Sequence, residues 1–188
     1  MSVSFSLTDE EKRTLGEVAK GAIRERLEGR PAVAPDARTC TPMLRRPLGA
    51  FVTLNRRGAL RGCIGFMVGR EPLVRTVWRM AQAAAFEDPR FRPVRLSEWP
   101  EITMEITVLD ELTPCPDPSQ VVIGRHGLML EYGGRRGVFL PQVPVEQHWD
   151  LAAYLTNLCY KAGVPDGSWK EPGARLYWYE GLVFPVQM

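Results

Sequence analysis

Lysine and histidine are scarce in this chain, and long apolar runs are missing. Among its 24 basic residues only Lys12, Lys20, Lys161 and Lys170 are lysine. A GC-rich genome produces that bias without any functional pressure; a functional source would be guanidinium recognition of carboxylate or phosphate groups. The two histidines, His126 and His148, lie far apart, with neither a paired-cysteine motif nor H-E-x-x-H beside them. No zinc signature is present, and neither a metal nor a cofactor is expected. Cys40, Cys63, Cys115 and Cys159 form no C-x-x-C pair. Their even number permits two disulfides on paper, but a chain with a full core does not need them, and all four are expected to be reduced. No apolar stretch approaches the roughly 18 residues of a membrane span. The first ten residues lack a basic segment followed by an apolar one, so no signal peptide is expected and the protein is expected in the cytoplasm. A net charge of +2 is too small to argue for nucleic acid by itself.

With 188 residues and 45% hydrophobic content, the chain can bury one sizeable core. Thr8 followed by Glu11 is a capping-box pair. Leu15, Val18, Ala19, Ala22, Ile23 and Leu27 then recur at helical spacing, and Gly29 with Pro31 stops the run, so residues 9–28 read as an amphipathic helix. Four prolines make residues 30–47 an extended connector. Residues 48–54 and 59–64 read as a β-hairpin turned by Gly58. Pro72 opens a second helix whose face is Leu73, Val74, Val77, Trp78, Ala81, Ala84 and Ala85. Residues 101–109 alternate Ile102, Met104, Ile106 and Val108 against Thr103, Glu105 and Thr107, a half-buried strand. Strands are expected at Val121–Ile123, Leu128–Tyr132 and Gly137–Leu140, a helix from about 146 to 162, and a closing strand from Arg175 to Val186 interrupted at Gly181. The mixed order points to an α+β fold: a mainly antiparallel sheet flanked by helices, in one domain spanning 1–188 that could form two lobes with a cleft.

One stretch mixes chemistries that a core strand rarely combines: Leu60-Arg61-Gly62-Cys63-Ile64-Gly65. Alternation sends Leu60, Gly62 and Ile64 to one face and Arg61 and Cys63 to the other. Leu60 and Ile64 should claim the core, leaving a guanidinium and a thiol side by side on the open face. A fixed positive charge favours the thiolate. Gly62 and Gly65 leave room for a ligand or another backbone to approach. The plainer alternative is a buried cysteine in a hairpin whose arginine pairs with a structural carboxylate. His126, read as part of an accessible Gly-Arg-His-Gly turn, is the candidate acid/base for Cys63; a solvated turn histidine is the alternative. His148 reads as a packing or capping residue. Glu87, Asp88, Arg90 and Arg92 form a charge cluster set among Phe86 and Phe91, with Asp88 and Arg90 the candidate ligand contacts. Gln142 and Glu146 flank prolines after a strand end, where polar groups could face a cleft. Gly133-Gly134-Arg135-Arg136-Gly137 matches neither G-x-x-x-x-G-K-[ST] nor G-x-G-x-x-G, so no phosphate-cradling loop of those types is present.

Several segments in order resemble the AMMECR-type family. They are Gly49–Leu54 with Leu60–Gly65, Asp88-Pro89-Arg90-Phe91-Arg92-Pro93-Val94, and His126-Gly127-Leu128. Val138–Val143 follows with Glu146 and Trp149-Asp150, then Leu158–Gly163. Together they cover about residues 8–186. The short prokaryotic form of this family is similar to protein A of the AmmeMemoRadiSam system. The resemblance implies a compact α+β fold in which the six-residue motif lines a cleft. It also implies partnership with a Memo-like dioxygenase-fold protein and a radical SAM protein. It supplies no established reaction.

Two functions compete. The first is an enzyme or enzyme component acting on a small polar molecule. In it Cys63 is the nucleophile or ligand-contacting thiol, Arg61 activates it and His126 is the acid/base. Gly62, Gly65, Asp88, Arg90, Gln142 and Glu146 would then contact the substrate. The second is a non-catalytic RNA- or protein-binding module using arginines and exposed aromatics.

Overall fold

The structure, a computed structural model, describes residues 5–188. Its elements in chain order are α1 (Asp9–Leu27), β1 (Ala50–Arg56), β2 (Ala59–Phe66), α2 (Leu73–Phe86), β3 (Ile102–Leu109), β4 (Thr113–Pro114), β5 (His126–Tyr132), β6 (Arg135–Phe139), α3 (Gln142–Glu146), α4 (Leu151–Ala162) and β7 (Arg175–Val186). This is the expected α+β class with antiparallel strands. The chain divides into two compact units. One contains the residues up to Leu109 together with Leu182–Met188, and the other contains Asp110–Gly181.

The first unit is built on the hairpin. β1 runs antiparallel between β2 and β3, so β2 lies at the sheet edge. Ala50, Val52 and Leu54 of β1 and Ile102, Met104, Ile106 and Val108 of β3 are buried on one face. Against it lie α1 and α2, which bury Leu15, Ala19 and Ile23, and Leu73, Val77 and Ala81. Phe184, near the end of β7, joins the same core. α1 begins with the capping box the sequence announces: the Glu11 amide donates to Thr8 Oγ1 at 3.2 Å, and the Thr8 amide to Glu11 Oε2 at 2.9 Å. Glu11 also accepts from Thr41 Oγ1 at 2.5 Å, tying the connector to the helix start. That connector is more structured than its prolines suggest, with short 3₁₀ turns at Ala37–Thr39 and Met43–Arg45 and a buried Leu44. The alanine-rich half of α2 packs onto β2 so tightly that a Cβ on Gly62 would lie 2.1 Å from the Ala84 carbonyl oxygen.

The second unit places β5 between β6 and β7, all antiparallel, with β4 on the far side of β7. α4 covers this sheet with Leu155, Leu158, Cys159 and Ala162; Cys159 is a fully buried core residue, as its helical position suggests. Three expectations change here. Val121–Ile123 is not a strand; Val121 and Val122 are irregular and residues 123–125 form a turn. The expected helix from 146 is two helices. His148 takes a left-handed φ of 54°, and Asp150 caps α4 by accepting from the Ala153 amide at 2.8 Å, so the chain restarts the helix there. β7 runs through Gly181 without a break.

The Gly62–Ala84 contact is backbone to side-chain position, so neither partner can rotate away. Gly62→Ala should cost about 1–3 kcal/mol through overpacking, read from denaturant unfolding. A loss under about 0.5 kcal/mol would show that α2 is free to slide on β2.

Candidate functional site

Cross-strand register decides where the six-residue motif points. Ile64 lies opposite Val52, Cys63 opposite Thr53 and Gly62 opposite Leu54, but Leu60 lies opposite Asn55. Arg61 is therefore the extra residue of a β-bulge, and the alternation changes phase at that point. Leu60 consequently leaves the core face and is 42% exposed, contrary to the expectation from simple alternation. Ile64, beyond the bulge, packs against the core as expected. Cys63 is half-buried, in the row of Thr53 and Glu105, and Thr53 Oγ1 lies 3.3 Å from its Sγ.

The guanidinium of Arg61 goes to Glu98, with Nε at 2.9 Å and Nη2 at 3.1 Å from its two oxygens. Arg56 shares the same carboxylate at 3.2 Å. Glu98 is held at a pKa of about 2, chiefly by the Arg61 bonds against the opposing effect of burial. This is the structural ion pair that stood as the plainer alternative for Arg61. The arginine bonded to the Cys63 peptide is a different one. Arg90 Nη2 donates to the Cys63 carbonyl at 3.2 Å, and Asp88 Oδ2 accepts from the Cys63 amide at 2.9 Å. Arg90 in turn donates to both Asp88 oxygens, at 3.0 Å from Nε and 2.7 Å from Nη2. Asp88 is 4% exposed. Its carboxyl is held well below the usual carboxylate range, first by the Arg90 side chain, with burial opposing and the Cys63 and Arg90 amides assisting. The ring of Phe91 lies under both guanidiniums, 5.9 Å from Arg61 and 5.5 Å from Arg90.

Asp88 and Arg90 therefore treat Cys63 as a neighbouring strand would, satisfying the outward amide and carbonyl of an edge residue. The space left by the two glycines is already used by protein. The Ala84 carbonyl fills it at Gly62, and at Gly65 the Phe51 ring does, 2.2 Å from where a Cβ would be. Neither glycine opens onto a ligand at its Cβ position, which corrects one use proposed for them.

His126 belongs to the second unit and is the first residue of β5, 7% exposed, not a loose turn residue. Its Nδ1 accepts from the Val122 amide at 3.0 Å, which leaves the ring proton on Nε2, 3.7 Å from Glu180 Oε1. The ring packs on Trp178 at 4.7 Å between centroids. Burial pushes its pKa below the ordinary 6.5, with Glu180 pulling the other way. Gln142 and Glu146 are exposed on α3, also in the second unit. Of the residues singled out from sequence, the fold thus gathers Cys63, Asp88 and Arg90. It sends Arg61 to Glu98, and His126 keeps its polar partners within its own unit. Thr53 and Glu98 were missed; Thr53 could have been found from hairpin register, Glu98 from no local signal. Among the described residues no His, Cys, Asp and Glu side chains cluster in a way that could hold a metal ion.

A family model described as AMMECR1 matches residues 16–184. The chain belongs to the AMMECR1 family. A protein of Thermococcus gammatolerans is 39% identical over 96% of this chain and 92% of its own length. One of Methanothermobacter thermautotrophicus is 38% identical over 95% of each. The crystal structure of an uncharacterised protein from Pyrococcus horikoshii superposes with a TM-score of 0.82 at 38% identity, covering 96% of this chain and 94% of that one. The α+β fold is thus that of an AMMECR1-family protein with a solved structure.

Two titrations test the site as built. Asp88→Asn cannot accept the same bonds and should cost about 1.5–3 kcal/mol at pH 7 in denaturant unfolding. Because the folded carboxyl is depressed, Asp88 contributes its stability above its ordinary 3.8 and loses it as pH falls from there; the variant should lack that acid-range loss. For His126 the depressed group is a base. The unfolded chain takes up the proton first, so stability is complete above about 6.5 and declines as pH falls through it. His126→Gln, which keeps an acceptor for the Val122 amide, should flatten the fall of the unfolding midpoint just below about pH 6.5. An unchanged slope would mean that the histidine titrates alike in the folded and the unfolded chain.

Proposed function

We propose that this AMMECR1-family protein is an enzyme or enzyme component acting on a small polar molecule, with Cys63 as the nucleophile or ligand-contacting thiol. The observation that supports it is the grip on the Cys63 peptide. A buried, ionised Asp88 and the Arg90 guanidinium hold both its amide and its carbonyl, while the thiol side remains half-exposed beside Thr53. Fixing the main chain of one residue by a charge pair whose carboxylate is buried is the kind of support that orients a side chain for contact. Arg90, rather than Arg61, is the cation bonded to this residue, and an anionic group of a ligand would meet it there. The partnership with a Memo-like protein and a radical SAM protein belongs to the same proposal, as proteins supplying or consuming the molecule.

Alkylation of the native protein, mapped by mass spectrometry, tests this. Cys63 should be labelled while Cys159 is not, and a cell extract fraction below about 1 kDa should slow labelling of Cys63 reversibly on dialysis. Extracts from cells also expressing the Memo-like and radical SAM proteins should protect more strongly. A Cys63 that does not react in the native fold, or one no small-molecule fraction protects, removes the proposal. Protection by the macromolecular fraction alone would favour the RNA- or protein-binding module instead.

A further inference from the structure

Within the second unit, the β5–β6 turn and the start of β7 enclose a cavity of about 440 Å³ lined by Glu131, Tyr132, Arg135, Arg136, Arg175 and glycines. The sequence here, Gly133-Gly134-Arg135-Arg136-Gly137, is the run that matches no amide-based phosphate loop. The structure shows a different kind of anion wall. Glu131, with its side chain only 16% exposed, holds two guanidiniums at once, Arg136 through Oε1 and Arg175 through Oε2 at 3.1 Å. Those arginine side chains remain 65% and 69% exposed. Arg135 donates to the Gly163 carbonyl, at the C-terminal cap of α4, where the helix dipole favours a cation. Arg136 and Arg175 against Glu131 leave an excess of one positive charge on this face, while the Arg135 guanidinium is turned to the α4 side of the sheet. Each guanidinium is anchored by its own contact and has further N–H donors to give, since five are available on each.

We propose that this cavity is a phosphate-binding site, taking a dianionic phosphate or diphosphate group on guanidinium forks rather than on backbone amides. A phosphate presents enough oxygens to engage both exposed forks at once, where a single carboxylate is satisfied by one. Glu131 positions the arginines: without it, two like charges on the strands that flank β5 would repel and splay. The site stands apart in sequence from the Cys63 cluster and does not rest on the function proposed for it. The phosphate could belong to a free phosphorylated molecule or to a nucleic-acid chain.

The full-length protein, labelled with nitrogen-15, is titrated with inorganic pyrophosphate, orthophosphate and a 12-residue single-stranded RNA. Pyrophosphate should give saturable amide shifts centred on Gly133, Gly134 and Arg175, and more tightly than orthophosphate. The Arg136→Ala, Arg175→Ala double variant should lose at least about tenfold in affinity. Arg92→Ala, an exposed arginine of the first unit, should lose none, and thermal unfolding of each variant confirms that the fold is retained. RNA binding tighter than pyrophosphate, lost in the double variant and falling linearly on a log–log salt plot, upholds the site and assigns the phosphate to a nucleic-acid backbone. RNA no tighter than pyrophosphate upholds it and assigns a small phosphorylated molecule. No saturable shift by 10 mM pyrophosphate, or equal affinity in the double variant, overturns the proposal.

Discussion

The first unit depends on one buried carboxylate. Taking Asp88 out of water is costly, and it is tolerated because Arg90 and two backbone amides surround it. The bond it forms with the Cys63 amide spans 25 positions of sequence and ties the segment after α2 to the edge of the sheet. Several features have to be in place before that bond can form. Gly62 must be a glycine for Ala84 to come close, which fixes the end of α2 against β2. Only then does the turn after Phe86 bring Asp88 level with Cys63. An edge strand with open hydrogen-bonding groups invites pairing with another chain, and the Asp88–Arg90 pair closes that edge at the thiol.

The second unit solves its packing differently. Its polar groups inside the fold are phenols and an imidazole rather than a charge pair. Tyr179 donates to the Phe139 carbonyl at 2.9 Å, and Tyr154 approaches the His126 and Phe139 carbonyls at 3.3 and 3.4 Å. Burial pushes both phenols above their ordinary range, so they stay neutral donors. Gly127 is needed because the Tyr179 ring occupies the place of its side chain, 2.2 Å from a would-be Cβ. The carboxylates Glu131 and Glu180 of this unit are partly buried, and the arginines paired with them reach out to solvent.

How far the sequence reading reached differs from element to element. α1 was legible because a capping box, a helical stripe and a glycine stop all act within a few residues of one another. β3 was legible because its neighbours on either face alternate without interruption. Leu60 was misplaced for a reason that alternation cannot contain: one added residue in one strand reverses every side chain beyond it, and only the partner strand shows where it falls. His126 was assigned to a turn because Gly124 and Gly127 bracket it, although pairing with Glu180 makes it the start of a strand. The break between α3 and α4 was hidden in an apolar spacing that a single left-handed residue is enough to interrupt.

The sequence by itself determined the α+β class, the hairpin, the principal helices and the segment that carries the thiol, because caps, turns and hydrophobic periodicity are local effects. The tertiary structure alone decided which arginine serves which carboxylate. Arg90 is close in sequence to both carboxylates and Arg61 to neither, and their guanidiniums have the same chemistry. Their choice between Glu98 and Asp88 follows from a bulge and from the close approach of two backbones, neither of which any short stretch of residues encodes.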